Sequence, residues 1–250
     1  MCRLLAYVGP PVTLHDLLLA PPHSLLRQSW EPRHQRHGAV NADGFGVGWY
    51  DHDRRPEPAR YRRARPIWTD RSFASLAGVV ASTAVLAAVR NATPPAPVEE
   101  SGAAPFTSGP WLFAHNGAVE GFAGPSGCGV QLRAAVSPGR LAEIEGAADS
   151  EVLFAMVLGG MDTGLSPAAA MQLVVAGVAS MAPGSRLNLA LTDGRRVVAT
   201  AFGDSLFVRR AGGVVVASEP FDDEPGWEHV PDRSLVEATA ESVSIAEGVL

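Results

Sequence analysis

Cys2 directly follows the initiator methionine, and this position determines which reactive groups the residue can carry. Removal of Met1, which a small second side chain favours, would leave a residue that carries both a thiol and a free α-amine. An α-amine has an ordinary pKa of about 7.7 to 8.0, so it can act as a base near neutral pH, and a thiolate is an acyl-transfer nucleophile. One residue could therefore supply nucleophile and base together. The alternative is that Cys2 is only a small buried residue.

A second candidate group lies at residues 115–117, His-Asn-Gly, at the end of the apolar run 111–115. A side-chain amide beside an unobstructed backbone N–H can form an oxyanion hole. The alternative is an ordinary turn that ends a strand, because Asn-Gly is a frequent turn dipeptide.

Composition narrows the class of protein. The formal net charge of −6 argues against a nucleic-acid partner, and all 20 basic residues are arginine. Without lysine, neither Schiff-base chemistry nor a P-loop is available. The seven His and two Cys show no spacing typical of a zinc site, and we expect no cofactor.

The number of cysteines and the first residues of the chain predict the cellular compartment. Two cysteines are too few for a disulfide framework, and Cys128, in a Gly-rich stretch, is interpreted as a loop thiol. Residues 1–11 lack the apolar run of a signal peptide, so we expect a cytoplasmic protein with no membrane partner. The sequence leaves the oligomeric state open.

The elements that must position these residues predict an α+β fold in one domain, residues 1–250. A strand over 3–8, closed by Gly9, would hold Cys2 on a rigid element, and 85–90 is a further strand. Helices are predicted from Asp149 or Ser150 as N-cap and from Ser166-Pro167. Four strands should follow, at 187–191, 197–201, 206–209 and 214–217.

Taken together, several motifs resemble the class II glutamine amidotransferases. They are the Met-Cys start, the His-Asn-Gly at 115–117, the Arg-x-x-Thr at 90–93 and the Asp-Ser-Glu at 149–151. The resemblance spans nearly the whole chain. It implies the four-layer αββα fold of the N-terminal-nucleophile hydrolases.

Within that family the chain is most similar to a stand-alone branch marked by Asn-Ala-Asp-Gly-Phe-Gly-Val-Gly at 41–48 and Ala-Ser-Glu-Pro at 217–220. This likeness implies hydrolysis of the γ-glutamyl amide bond of γ-glutamyl-hercynylcysteine S-oxide, a small-molecule substrate of ergothioneine biosynthesis. Two alternatives stay open. They are a glutaminase subunit that passes ammonia to a separate synthetase, and a binding protein that keeps the fold without catalysis.

The resemblance also implies roles for single residues. Cys2 would attack the γ-carbonyl carbon, while the Asn116 side chain and the Gly117 N–H hold the oxyanion. The candidate substrate-binding residues are Arg90, Thr93, His115, Asp149 and Ser150. Among them, Arg90 and Thr93 would bind the substrate α-carboxylate and Asp149 the α-ammonium. Structural alternatives are a solvated arginine at a strand end, a helix N-cap at Asp149 and a hydrogen-bonded core histidine at His115.

Two positions depart from many members of the family. Ala88 stands where they have a histidine two residues before the carboxylate-binding arginine, and His37-Gly38 stands where they have Arg-Gly. The trimethylammonium of the expected leaving portion would suit an aromatic face. Candidates for that contact are Trp30, Trp49, Trp68, Trp111 and Phe122.

Overall fold

The computed structural model describes residues 2–38, 40–93, 96–124 and 127–250. They form two β-sheets stacked face to face, with helices on the outer side of each. The elements in chain order are β1 (Arg3–Thr13), α1 (Leu14–Leu18), α2 (Leu25–Gln28), β2 (Gly44–Trp49), β3 (Ala59–Arg63), α3 (Arg71–Ala77), β4 (Ala81–Arg90), β5 (Phe106–Ser108), β6 (Trp111–Ala118), α4 (Cys128–Ala135), α5 (Pro138–Leu141), α6 (Asp149–Asp162), α7 (Pro167–Met181), β7 (Arg186–Thr192), β8 (Arg196–Ala201), β9 (Phe207–Arg210), β10 (Val214–Ala217), β11 (Trp227–His229), β12 (Ser234–Thr239) and β13 (Val243–Ala246).

One sheet has the strand order β11-β9-β10-β1-β4-β2-β3, and the other has the order β13-β12-β8-β7-β6-β5. Neighbouring strands are antiparallel in both sheets. Strands β1 and β4 are therefore interior strands of the first sheet, and β6 and β7 are interior strands of the second. Interior strands are held by ladders on both sides, which makes them a rigid base for a site.

Small side chains fill the space between the two sheets. Alternate residues of β1 and β4, including Ala6 and Ala88, meet alternate residues of the second sheet, including Ala114, Ala190 and Ala199. Alternation places every second side chain of a strand on the same face. Because many of these side chains are alanine, the two sheets can approach closely.

Helices cover both outer faces. Helices α6 and α7 pack on the second sheet, where Phe113 of β6 stacks on Phe154 of α6 with ring centroids 5.0 Å apart. Helices α1 to α3 pack on the first sheet around Phe45 and Phe73. The order of layers is helix, sheet, sheet, helix, which confirms the predicted αββα arrangement.

Several local predictions are confirmed and others are corrected. Helix α7 has Ser166 as its N-cap, whose hydroxyl accepts from the Ala169 N–H as predicted. Strand β1, expected to close at Gly9, continues to Thr13, because the chain resumes pairing with β4 at Val12 after an irregularity.

Two further corrections concern residues near the site. Strand β6 runs through Asn116 and Gly117 and does not end in a turn there, since both residues pair with β7. Cys128 does not lie in a loop: it begins α4, and its thiol donates to the Glu120 carbonyl at 3.2 Å.

Other elements were not predicted at all. Helix α3 and strands β11 to β13 are short, and β13 alternates between half-buried and exposed side chains. Among the described residues, no helix has the length and apolar character required to cross a membrane.

Candidate active site

Cys2 lies immediately before β1 and is held on both sides of its backbone. Its nitrogen donates to Asn116 Oδ1 at 3.3 Å, across 114 residues of sequence. Its carbonyl oxygen accepts from Arg3 Nε at 2.8 Å. Met1 lies outside the described residues, so its removal stays a prediction.

Side-chain alternation explains why Asn116 meets Cys2. On β6, Leu112 and Ala114 face the other sheet, and Asn116 continues that face. It is fully buried, and its amide nitrogen donates to Ser218 Oγ at 3.3 Å. Asn116 therefore bridges the Cys2 nitrogen and the Ala-Ser-Glu-Pro motif.

The other face of β6 carries His115 and Gly117 toward α6. A Cβ at position 117 would overlap the Arg186 carbonyl oxygen and lie 2.6 Å from His115 Nε2. Only glycine fits there while β6 and β7 stay paired. His115 Nε2 donates to that same carbonyl at 2.9 Å, since a carbonyl oxygen only accepts.

Asp149 and Ser150 connect the start of α6 to the end of β6. Asp149 Oδ2 accepts from the Val119 N–H at 2.8 Å, and Oδ1 accepts from the Ser150 N–H at 2.8 Å. The Ser150 hydroxyl lies 3.1 Å from His115 Nδ1 and 3.2 Å from Asp149 Oδ1. The prediction of Asp149 or Ser150 as N-cap is wrong, because Ala148 occupies that position without a side-chain capping bond.

Arg90 ends β4 on the face that points between the sheets, two residues after Ala88. Its side chain is buried, with an exposed fraction for the residue of 8%. Within the described part of the chain, its Nη1 atom has no hydrogen-bond partner. Gly102 lies against the guanidinium so closely that a Cβ there would be 2.7 Å from Nη2. The arginine is held in place by these neighbours, and it is not a solvated strand-end residue.

These groups surround a cavity of about 520 Å³. The predicted site residues that line it are Cys2, Arg90, Thr93, His115, Gly117, Asp149 and Ser150. Thr93 is exposed at the rim, just before two residues that are outside the described part. Asn116 lies behind the wall, in contact with Cys2. The structure thus brings the predicted residues together around one space.

The cavity also has lining residues that the sequence did not identify. Ala88 lines it, two residues before Arg90. Of the five aromatic candidates, Phe122 lines the cavity, and Phe106, which was not predicted, joins it. Arg133 of α4 also lines the cavity, with its guanidinium carbon 5.7 Å from the centre of the Phe122 ring.

A buried group of charges behind Cys2 was also missed. Arg3 is fully buried, and its charge interacts with the carboxylates of Glu219 and Asp204, although burial lowers the pKa of Arg3. Glu219 Oε2 accepts from the N–H groups of Arg33 and His34 at 2.7 and 2.6 Å. The sequence signal for this group was the Ser-Glu-Pro motif at 218–220, which marks the stand-alone branch of the family. Only the fold shows that this motif lies close to the nucleophile.

For Glu219 itself, the hydrogen bonds and positive charges outweigh burial. Burial alone raises the pKa of this carboxyl, whereas its contacts with His23 and the His34 N–H and the charge of Arg3 lower it, so the net pKa lies below the ordinary value. The buried carboxylate therefore stays ionised and anchors the loop at residues 33–34.

The chain is similar to known proteins in both sequence and fold. A family model described as glutamine amidotransferases class-II matches residues 23–223. A protein of Mycobacterium tuberculosis named γ-glutamyl-hercynylcysteine sulfoxide hydrolase is 43% identical over 98% of this chain and 96% of its own length.

Solved structures agree with the layered architecture. A glutamine amidotransferase class-II domain protein from Silicibacter pomeroyi superposes with a TM-score of 0.72 at 27% identity, covering 98% of both chains. A glutamine phosphoribosylpyrophosphate amidotransferase from Bacillus subtilis has a TM-score of 0.65 at 14% identity, covering 98% of this chain and 49% of its own. At that identity the second likeness concerns the fold alone.

Proposed function

The chain belongs to the class II glutamine amidotransferases, and from this premise we propose that it hydrolyses the γ-glutamyl amide bond of γ-glutamyl-hercynylcysteine S-oxide. The products are glutamate and hercynylcysteine S-oxide, in ergothioneine biosynthesis. The observation that carries the proposal is that Cys2, Gly117, Arg90 and Asp149 line the same cavity. The likeness at 43% identity over nearly the full chain supports this substrate.

The reaction begins at Cys2 after loss of Met1. The Cys2 thiol transfers its proton to the α-amine, and the sulfur attacks the γ-carbonyl carbon to form a tetrahedral oxyanion. Asn116 Oδ1 lies within hydrogen-bond distance of the Cys2 nitrogen and orients the amine. The Asn116 amide nitrogen has two protons, one directed to Ser218, and the second is assigned with the Gly117 N–H to the oxyanion.

Collapse of the oxyanion breaks the carbon–nitrogen bond. The protonated α-amine gives its proton to the departing nitrogen, and a γ-glutamyl thioester remains on Cys2. Water then attacks the thioester carbonyl, with the α-amine again as base. Glutamate leaves, and the thiol is restored. The thiol and the amine suffice for every step, so the proposal needs no cofactor.

Arg90 and Asp149 are assigned to the substrate α-carbon. A guanidinium matches a carboxylate with two parallel hydrogen bonds, and the buried Nη1 of Arg90 has a proton to offer. A carboxylate has about four acceptor sites. The Val119 N–H and the Ser150 N–H use two of those on Asp149, which leaves acceptor sites for the α-ammonium. Thr93, at the rim, adds a hydroxyl.

The proposal places the reaction in the cytoplasm, where a free Cys2 thiol stays reduced. Both cysteines are free in the structure, and a reducing compartment keeps them so.

The test measures glutamate release from γ-glutamyl-hercynylcysteine S-oxide and from glutamine, supplied separately. Intact mass first verifies that Met1 is absent. We expect faster release from the sulfoxide, lost in Cys2→Ala and kept in Cys128→Ala, the matched change at the other free cysteine. Preference for glutamine would support an ammonia donor, and release unaffected by Cys2→Ala would refute the mechanism.

A further inference from the structure

We propose that Arg133 binds a carboxylate on the leaving portion of the substrate, and so selects amides of carboxylate-bearing amines over glutamine. This inference rests on the proposed function. It assigns a role to a cavity arginine that the catalytic steps do not use.

The position of Arg133 is set by contacts at the start of α4. The Cys128 N–H donates to the Gly121 carbonyl at 3.0 Å, and the Gly129 N–H donates to the Phe122 carbonyl at 3.2 Å. These bonds connect the helix to the loop that follows β6. They hold Arg133, on the next turn, beside Phe122 at the wall of the cavity.

The guanidinium of Arg133 has N–H donors available for a ligand. Its side chain is half-buried and lies at 5.7 Å from the Phe122 ring, and the described residues supply no hydrogen-bond acceptor or ion-pair partner to its guanidinium. A guanidinium has five N–H donors in a planar fork that fits a carboxylate.

The charged groups on the described cavity lining include no carboxylate that is left to balance Arg133. Among the described lining residues, the charged side chains are Arg90, Arg133 and Asp149. Arg90 and Asp149 complement the carboxylate and ammonium of the glutamyl α-carbon, and these two pairs balance. A third ligand charge, which must be negative, would balance Arg133.

The leaving portion of the proposed substrate supplies that charge. The amine released is the α-amine of a cysteine, so it bears a neighbouring carboxylate, and the hercynyl group bears a second one. Glutamine releases ammonia, which has neither. A volume of about 520 Å³ is within the range of about 300 to 1,000 Å³ typical of cavities for drug-sized ligands, so it admits more than a glutamyl group.

The experiment measures dissociation constants by calorimetry in a Cys2→Ala background, where no turnover occurs. The ligands are γ-glutamyl-hercynylcysteine S-oxide, γ-glutamylcysteine and glutamine. Arg133→Gln should weaken binding of the sulfoxide about 10- to 100-fold, the effect of losing a charged hydrogen bond. Binding of glutamine should change less than about threefold.

The γ-glutamylcysteine measurement identifies the carboxylate. Weakened binding of this ligand places Arg133 on the cysteine carboxylate, whereas unchanged binding, with the sulfoxide weakened, places it on the hercynyl carboxylate. Arg71→Gln, at an exposed position of α3 and outside the cavity lining, is the matched control and should leave all three constants unchanged.

Two results would overturn the inference. Equal weakening of glutamine and sulfoxide would mean that Arg133 acts only by supporting the cavity wall through Phe122. Unchanged sulfoxide binding would mean that it does not touch the leaving portion. Wild-type enzyme that releases no glutamate from the sulfoxide would instead refute the proposed function, so the two failures are distinct.

Discussion

Arg90→Met should increase the free energy of unfolding and decrease the activity. The reason is that Arg90 has a buried guanidinium nitrogen with no hydrogen-bond partner among the described residues. A buried donor left unsatisfied costs about 1 to 3 kcal/mol. Methionine has similar length and fills the space without a polar group. The substrate-free variant should therefore be more stable than wild type by about 1 to 3 kcal/mol, or about 2 to 12 °C in Tm at 2 to 4 °C per kcal/mol.

Binding of the glutamyl group should suffer in the same variant. Two charged hydrogen bonds to the α-carboxylate are worth about 1.5 to 3 kcal/mol each. Their loss, about 3 to 6 kcal/mol, lowers kcat/KM by about 10² to 10⁴-fold, at about 1.4 kcal/mol per factor of ten.

The assay combines glutamate-release kinetics with thermal unfolding, with and without added glutamate. Glutamate should raise the Tm of wild type, because a ligand stabilises the state that binds it, and should not raise that of Arg90→Met. Arg195→Met, at the exposed turn between β7 and β8, is the matched control and should leave kcat/KM unchanged. A variant less stable than wild type with kcat/KM within threefold of it would refute this reasoning.

Three further changes test the site and its support. Gly117→Ala should cost at least about 3 kcal/mol in unfolding free energy and more than 100-fold in glutamate release, because its Cβ would overlap the Arg186 carbonyl oxygen; near-wild-type values would contradict the proposed geometry. Burial raises the pKa of Glu151, so folding favours its protonated form, and the contribution of this residue to wild-type stability falls as pH rises above about 4.3. Glu151→Gln should lack this loss, and urea unfolding should show its advantage growing from pH 4 to pH 7, whereas a constant difference would disprove the assignment. Glu219→Gln should cost about 1 to 3 kcal/mol at pH 7, since it removes the stronger of the two carboxylate interactions with buried Arg3 and leaves that of Asp204. Because the pKa of Glu219 is lowered, this difference should shrink as pH falls below about 4.3, and a pH-independent difference in urea unfolding would argue against it.

Local sequence patterns predicted the chemistry-bearing residues and many of the elements that carry them. Cys2 at the head of a strand, Arg90 at the end of another and the Ser166-Pro167 start of α7 all follow from local signals: apolar runs and capping residues. Elements with weak local signals were not recognised. Strand β13, for example, contains only Val243–Ala246, with no buried residue.

The contacts that make a site depend on the tertiary structure. Cys2 meets Asn116 only because two sheets stack with β1 opposite β6, and Arg133 reaches the cavity only because α4 docks on the loop after β6. Ser218 and Glu219 lie more than 200 residues after Cys2 in the sequence, and the pairing of β10 with β1 brings them behind the nucleophile.

The choice of face on each strand could not be read from the sequence. Residues 4, 6 and 8 of β1 face the other sheet and residues 5 and 7 face the helices, yet all five are buried, and among them only Tyr7 has a polar atom in its side chain. A half-exposed strand shows its inner face by alternation of apolar and polar residues, whereas a strand covered on both sides does not. The sequence therefore determined which residues could react. The stacking of the sheets decided that Asn116 points to Cys2 while His115 and Gly117 face α6. Alternation fixes only that neighbouring residues lie on opposite faces of β6, and the tertiary structure decides which layer packs on each face.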